Sequence, residues 1–235
     1  MSKEFLTLRR EVKYIVPLGK ALRIRECLDG LLERDSHCPG GAYSVRSLYF
    51  ESVYNTDFAD KLSGVDIRKK VRARIYDGDA SLCKLELKEK MGDAQSKQSF
   101  LITKRDVKAV SLGDYSVLKN YFHDTQTSIK AYGIMARGRY MPSVIIEYDR
   151  LAYRYPMYDT RITLDMNIRS SESNLNLFSP NINYTPVLYE DVVLEIKYSG
   201  KLMGFISDAL CRFGLTQNAY SKYCSGRRNY YDFNY

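Results

Sequence analysis

The stretch KKVRARIYDGDASLCKLELKE, residues 69–89, decides how this chain is read. Val71, Ala73 and Ile75 alternate with Arg72 and Arg74, and Cys83, Leu85 and Leu87 alternate with Lys84, Glu86 and Lys88. Side chains two apart share one face of a strand, so each half has an apolar face and a charged one. Asp77-Gly78-Asp79 between them is a tight-hairpin signal. The same habit recurs in VIIEYDR (Tyr148, Arg150), RITLD (Arg161, Thr163, Asp165) and VLEIK (Glu195, Lys197). In one strand, a solvated face over a core explains such alternation. Five strands repeating it, most of their charges positive, predict a face that lines something: a closed or nearly closed barrel with a wet, basic interior.

Working outward, a first strand is predicted over Leu8 to Val16. It leads into a helix with an apolar stripe of Leu18, Leu22, Leu28, Leu31 and Leu32, ending near Asp35. Pro39-Gly40-Gly41 turns into the strand SVRSLYFES, and Asn55 to Lys61 reads as a short helix. After the hairpin come a polar loop at Met91 to Ala94 and a strand over Lys97 to Thr103. Lys104 to Met141 has helical spacing interrupted at Gly113 and Gly133, with Pro142 closing it. Strands resume at SVIIEYDRLAYR, TRITLDMNIR and VVLEIKY. Ser170 to Pro186 is rich in Ser, Asn and Pro and is predicted as a mobile loop, and Leu202 to Phe213 as a helix. Neither a repeat nor a linker is evident, so residues 1–235 read as a single domain. The class is α+β: an antiparallel β-barrel of about eight strands forming a basic tunnel, with flanking helices.

Composition narrows the partners. The 235 residues carry a formal charge of +8 and are 45% apolar, enough for a core and suited to phosphate-rich ligands. Lysine and arginine are spread along the chain rather than gathered in a tail, which argues against a disordered nucleic-acid-binding arm. Five cysteines without a Cys-x-x-Cys exclude a disulfide framework or zinc site and suggest a reducing, cytoplasmic home. His37 and His123 lack ligand neighbours and read as surface or structural residues. No signal-peptide core or membrane-length apolar run is evident.

The charged faces supply Glu11, Lys13, Arg72, Arg74, Glu86, Lys88, Lys97, Arg150, Arg161, Glu195 and Lys197, with Lys222 near the end. Arginine's planar fork grips phosphate oxygens bidentately, and lysine adds a point charge. A divalent ion such as Mg²⁺ or Mn²⁺ is held by one or two carboxylates with substrate phosphates. Glu195 is the leading ligand; Glu11 and Glu86 are second choices, with orientation of neighbouring cations as salt-bridge partners their alternative role. No phosphate loop, no dinucleotide fingerprint and no histidine placed to activate Ser or Cys is present. Phosphoryl transfer needs none of these, because positioning and charge stabilisation suffice.

In this order EVKY, SLYFES, RARIY, ELK followed by Lys97, EYDRLAY, RITLD, LEIK and SKYC resemble the polyphosphate polymerase domain of the vacuolar transporter chaperone (VTC) type. That domain falls within the triphosphate tunnel metalloenzymes of the CYTH-like superfamily. The resemblance implies a tunnel binding triphosphate or polyphosphate, with metal-dependent transfer of the γ-phosphate of ATP onto a growing inorganic polyphosphate chain. It assigns phosphate binding to Lys13, Arg72, Arg74, Lys88, Lys97, Arg150, Arg161 and Lys222. Tyr148 and Ser221 assist, Glu11 and Glu86 accompany them, and Glu195 holds Mn²⁺ or Mg²⁺. The superfamily's Glu-x-Glu-x-Lys opening has Arg9 in its first position here, which agrees with the VTC branch and argues against adenylate cyclase or thiamine triphosphatase activity. A tripolyphosphatase or nucleoside triphosphatase, a non-catalytic polyphosphate receptor and a nucleic-acid binder are the alternatives. ATP and polyphosphate are the expected partners, nucleic acid is not, and coupling to a membrane needs a separate membrane protein.

Overall fold

A computed structural model describes residues 9–38, 40–92 and 94–232; Leu8, Pro39, Asp93 and the last three residues lie outside it. The strands are β1 (Arg9–Pro17), β2 (Glu33–Arg34), β3 (Tyr43–Glu51), β4 (Ile67–Tyr76), β5 (Asp79–Met91), β6 (Ala94–Leu101), β7 (Met141–Tyr155), β8 (Thr160–Ser171), β9 (Thr185–Pro186) and β10 (Asp191–Ser199). The helices are α1 (Leu18–Asp29), α2 (Thr56–Leu62), α3 (Lys104–Ser111), α4 (Gln126–Gly138), α5 (Gly204–Cys211) and α6 (Lys222–Asp232). The class is the expected one, α+β, with eight strands in the hydrogen-bonded order β1-β10-β8-β7-β3-β4-β5-β6 and helices flanking them.

The chain divides into two compact units. The first comprises Met1–Ser44, Tyr148–Arg169 and Pro186–Lys222, and the second Val45–Glu147, Ser170–Thr185 and Tyr223–Tyr235. In the first unit β1, β10 and β8 pair antiparallel, and α1 packs on β1 and β10. In the second unit β3, β4, β5 and β6 form a meander. Its core gathers Leu48, Phe50, Val71, Ala73, Ile75, Leu85, Leu87, Val107, Met135 and Leu177. The 69–89 stretch folds as read: Tyr76 pairs with Asp79, and Asp77 (φ 49°) and Gly78 (φ 70°) take the left-handed backbone of a two-residue hairpin turn.

Several expectations need correction. α1 ends at Asp29, not near Asp35, and buries Ala21, Ile24 and Leu28. Leu18, Leu22 and Leu31 are exposed, because the buried stripe runs through Ala21, Ile24 and Leu28, so of the expected leucines only Leu28 and Leu32 are buried. β6 begins at Ala94, three residues before Lys97, and ends at Leu101, where Thr103 caps α3 by accepting from the Asp106 N–H. Gly133 does not interrupt α4 but lies inside it, and Pro142 is the second residue of β7. The Ser/Asn-rich stretch from Glu172 to Tyr184 has no regular structure, yet it is fastened into the second unit. Leu177 is buried there, and the carbonyls of Leu177 and Ser179 accept from Arg46. α6 had no sequence expectation; Gly226 lets it approach β7, where a Cβ would collide with Ile146 Cδ1.

Asp57 at the start of α2 is buried, accepts from Tyr140 Oη at 2.8 Å and lies 3.3 Å from Lys69 Nζ. Burial, with Glu51 alongside, pushes its carboxyl up to about 6 from 3.8 despite Lys69. The folded state therefore keeps a proton between about pH 4 and 6 that the unfolded chain has released. Stability falls as pH rises through that window, by about 3 kcal/mol from this group. Asp57→Asn keeps an oxygen for Tyr140 and is expected to flatten this part of the profile, as read by thermal unfolding at pH 4.5 and 7.5. Parallel profiles for the two proteins would refute the assignment.

Candidate functional site

The charged faces are partly withdrawn from solvent. Arg74, Glu86, Arg150, Asp165 and Glu195 are all buried. Each unit builds its own cluster from strand register.

In the first unit, one rung aligns Glu11, Lys197 and Arg161, and the next Lys13, Glu195 and Thr163. Lys13 Nζ lies 2.8 Å from Glu11 Oε1 and 3.8 Å from Glu195 Oε1, while Lys197 Nζ lies 3.0 Å from Glu195 Oε1 and 3.8 Å from Glu11 Oε2. Burial alone would raise the Glu195 carboxyl, but Lys197, Lys13 and Lys222 hold it well below the usual carboxylate range. Asp165, at 0% exposure, accepts from Arg150 Nε at 2.6 Å and Nη2 at 2.8 Å and pairs with Lys222 Nζ at 2.6 Å. Burial opposes its ionisation, yet Arg150 and Lys222 bring it down to about 2. Arg150 and Lys222 also sit over the Tyr148 ring, at 5.2 and 4.9 Å from its centroid. Arg161 Nη2 reaches Asp35 Oδ2 at 3.1 Å and donates to Tyr43 Oη at 3.2 Å. Ser221 immediately precedes α6 and is half-buried.

In the second unit the face opposite the core runs through β4, β5 and β6. Its successive rungs are Arg68–Lys90–Gln95, Lys70–Lys88–Lys97, Arg72–Glu86–Ser99 and Arg74–Lys84–Leu101. One carboxylate, Glu86, stands among these cations. Arg72 Nε donates to Glu86 Oε2 at 2.6 Å, Arg74 Nη1 lies 3.8 Å from that oxygen, and Lys97 Nζ lies 2.7 Å from Oε1. Burial works against the Glu86 charge, but Arg72, Arg74 and Lys97 outweigh it and keep the carboxyl far below its usual range. Glu86 thus has the geometry of an internal counter-ion rather than of a metal ligand. Arg72 Nη1 also donates to Tyr49 Oη at 2.9 Å, and Arg74 Nε donates to Ser47 Oγ at 3.0 Å.

Asp165, Asp35, Tyr49 and Lys70 enter these clusters without having been singled out from the sequence as site residues. Alternation had placed Asp165 on a charged face, but its part in holding two cations depends on how β7, β8 and the start of α6 meet.

Glu195 and Glu11 are neighbouring carboxylates bridged by Lys13 and Lys197. Two neighbouring carboxylates, one of them firmly ionised, fit a hard oxygen-seeking cation completed by phosphate oxygens and water. Among the described residues, no three His, Cys, Asp or Glu side chains gather into a metal cage. Nor, among them, is any helix long and apolar enough to cross a membrane.

The second-unit cluster titrates near neutrality. Burial, Arg72 and Arg74 push the Lys97 ammonium down to about 8 against the pull of Glu86, although half of its side-chain surface is exposed. Burial would raise the Tyr49 phenol, but Arg72, Arg74 and Lys70 bring it down to about 8. As pH rises through 8, Lys97 loses a positive charge and Tyr49 gains a negative one, and both changes weaken anion binding. Tripolyphosphate affinity without metal is expected to fall by at least about tenfold between pH 7 and 9.5, as these two groups together make the face about two charges less positive. Lys97→Arg combined with Tyr49→Phe should remove most of that fall in calorimetric titrations.

Fold and clusters together define a class: an α+β protein whose antiparallel strands present arginine and lysine held by buried carboxylates. The chain belongs to the VTC domain family, whose profile matches residues 8–231. Among solved structures it is similar to HpAC1 of Hippeastrum, named as an adenylyl cyclase and described as having a dominant triphosphatase activity. That similarity has a TM-score of 0.56 at 14% identity and covers 94% of this chain and 96% of that one. It is also similar to a Bacillus halodurans protein named as an adenylate cyclase, with a TM-score of 0.53 at 15% identity over 92% and 94% of the two chains. At these identities the likeness concerns the fold. No curated protein matches the sequence.

Proposed function

We propose that this chain is a metal-dependent polyphosphate polymerase that transfers the γ-phosphate of ATP onto a growing inorganic polyphosphate chain. The observation that carries this reading is the second-unit face, where Arg72, Arg74 and Lys97 gather at Glu86 and Lys88 shares their face. Such a surplus of positive charge suits a ligand carrying several negative charges along its length. Family membership supports the same reading.

In this mechanism the arginines grip phosphate oxygens through forks already oriented by Glu86 and Asp165, so little ordering remains to be done on binding. Arg150, Arg161, Lys13 and Lys222 stabilise charge on phosphate oxygens in the first unit. Glu195, with Glu11, would hold Mn²⁺ or Mg²⁺, which when bound neutralises phosphate charge and orients the transferring group. The chain's residues supply positioning and electrostatics, and no covalent nucleophile is required.

A second reading keeps the same residues and makes water the acceptor. The triphosphatase activity described for HpAC1 is the reason to test it. Incubation with ATP and Mn²⁺, followed by separate assays for polyphosphate, ADP and free phosphate, decides between them. ADP with polymer supports the polymerase, and free phosphate without polymer selects the hydrolase. Binding of polyphosphate without either product selects the receptor.

A further inference from the structure

Glu51 of the SLYFES strand and Tyr223 of SKYC are both buried in the second unit, and the Tyr223 phenol donates to the Glu51 carboxylate. Ser47, Tyr49 and Glu51 share one face of β3, and in register Ser47 stands opposite Arg74 and Tyr49 opposite Arg72. Ser47 Oγ accepts from Arg74 Nε at 3.0 Å and Tyr49 Oη from Arg72 Nη1 at 2.9 Å. Glu51 accepts further from the backbone N–H of Ser52 at 2.9 Å and of Asp57 and Phe58 at 3.0 Å each. Hydrogen bonds to an ionised acceptor are roughly twice as strong as neutral ones. The Tyr223 hydroxyl is thereby tied to a carboxylate that is itself fastened to the first turn of α2.

The ring of Tyr223 is seated as firmly as its hydroxyl. It stacks on Tyr49 with centroids 4.9 Å apart and an interplanar angle of 26°, and it meets Phe58 edge-on at 6.0 Å. Tyr49 is therefore held by this stack as well as by its bond to Arg72. The Arg72 fork in turn has two fixed points on neighbouring strands, Glu86 on β5 and Tyr49 on β3. One is a charge; the other is a neutral phenol whose place depends on Tyr223.

We propose that Tyr223, anchored on Glu51, is a positioning residue that acts through Tyr49 to set the plane in which the Arg72 guanidinium is presented. Tyr223 touches no ligand in this arrangement. Its effect on affinity rests on the reading of Arg72 as a phosphate-binding residue, whereas the positioning itself is measurable without ligand.

The ligand-free readout is tyrosinate absorbance. Burial would raise the Tyr49 phenol, but Arg72, Arg74 and Lys70 bring it down to about 8, so an absorbance step near pH 8 that is absent from Tyr49→Phe reports how close the phenol stays to those cations. Tyr223→Leu removes the stack and is expected to move the step up by about one pH unit or more. The second readout is a cycle of tripolyphosphate titrations without metal on wild type, Tyr223→Leu, Arg72→Lys and the double variant. Tyr223→Leu should bind about tenfold more weakly than wild type but cost less than about twofold once Arg72→Lys is present, because an ammonium has no plane to set. Tyr223→Phe keeps the stack and loses the anchor, so it should lie between wild type and Tyr223→Leu in both readouts, and it decides the matter if Tyr223→Leu does not fold. An unmoved step in the folded variants overturns the positioning role, as do equal losses of affinity with and without Arg72→Lys. A step that moves as expected in a protein whose wild type binds no tripolyphosphate upholds the positioning and overturns the phosphate reading of this face.

Discussion

Glu195→Gln is expected to abolish turnover of ATP with Mn²⁺, by at least about 10³-fold, without weakening tripolyphosphate binding in the absence of metal. The two effects separate because Glu195 lies at the meeting point of opposite demands. Its carboxylate is held ionised by Lys197, Lys13 and Lys222, with Arg150 Nη2 at 3.7 Å from Oε2. Glutamine preserves the shape and removes the charge. The ammonium groups of Lys13 and Lys197 then have one fewer carboxylate to neutralise them, so phosphate oxygens are attracted at least as strongly as before. A divalent ion loses its firmest anionic donor, and direct Mn²⁺ titration should show binding weakened by at least about tenfold. ADP release at the wild-type rate would remove Glu195 from the mechanism. Unchanged Mn²⁺ affinity with lost turnover would instead assign it to the alignment of Arg150 and the two lysines.

Much of this arrangement was legible in the sequence because strand alternation is local. Residues 69–89 needed only a period of two and a turn at Asp77-Gly78 to place Arg72, Arg74, Glu86 and Lys88 on one face, and the observed register puts them there. Pairing between distant strands was not legible. The alignment of Lys13 with Glu195, and of Glu195 with Thr163, depends on which strands become neighbours and at what offset. Asp165 shows the same limit: its place in RITLD predicted a charged face, but nothing local said that Arg150 and Lys222 would converge on it. α1 failed for a different reason. Leucine is read as a core residue, whereas the face that α1 turns to β1 and β10 is set by helical phase and buries Ala21, Ile24 and Leu28, leaving Leu18 and Leu22 outside.

Arg72→Lys is expected to weaken tripolyphosphate binding about 100-fold, equivalent to about 2.7 kcal/mol, although it conserves charge. The reason lies in how the guanidinium is divided. Nε and Nη2 are both turned to Glu86 Oε2, each at 2.6 Å, and Nη1 donates to Tyr49. These contacts fix the plane of the fork and leave its remaining N–H groups for phosphate oxygens. A lysine ammonium reaching toward Glu86 can satisfy that carboxylate but cannot also present a second, oriented donor. Arg72→Ala should lose more affinity and stability as well, since removing one partner of a buried pair costs about 3–5 kcal/mol. Glu86 would then depend on Lys97, whose ammonium is already pushed down to about 8, and on the more distant Arg74. Comparing the two variants by calorimetry and thermal unfolding separates binding from folding: the lysine variant should melt close to wild type and still bind poorly. If it binds as tightly as wild type, Arg72 acts as a point charge and the fork geometry has no part in recognition. If the alanine variant, shown to be folded, also retains full affinity, the Glu86-centred face does not bind the phosphate chain at all.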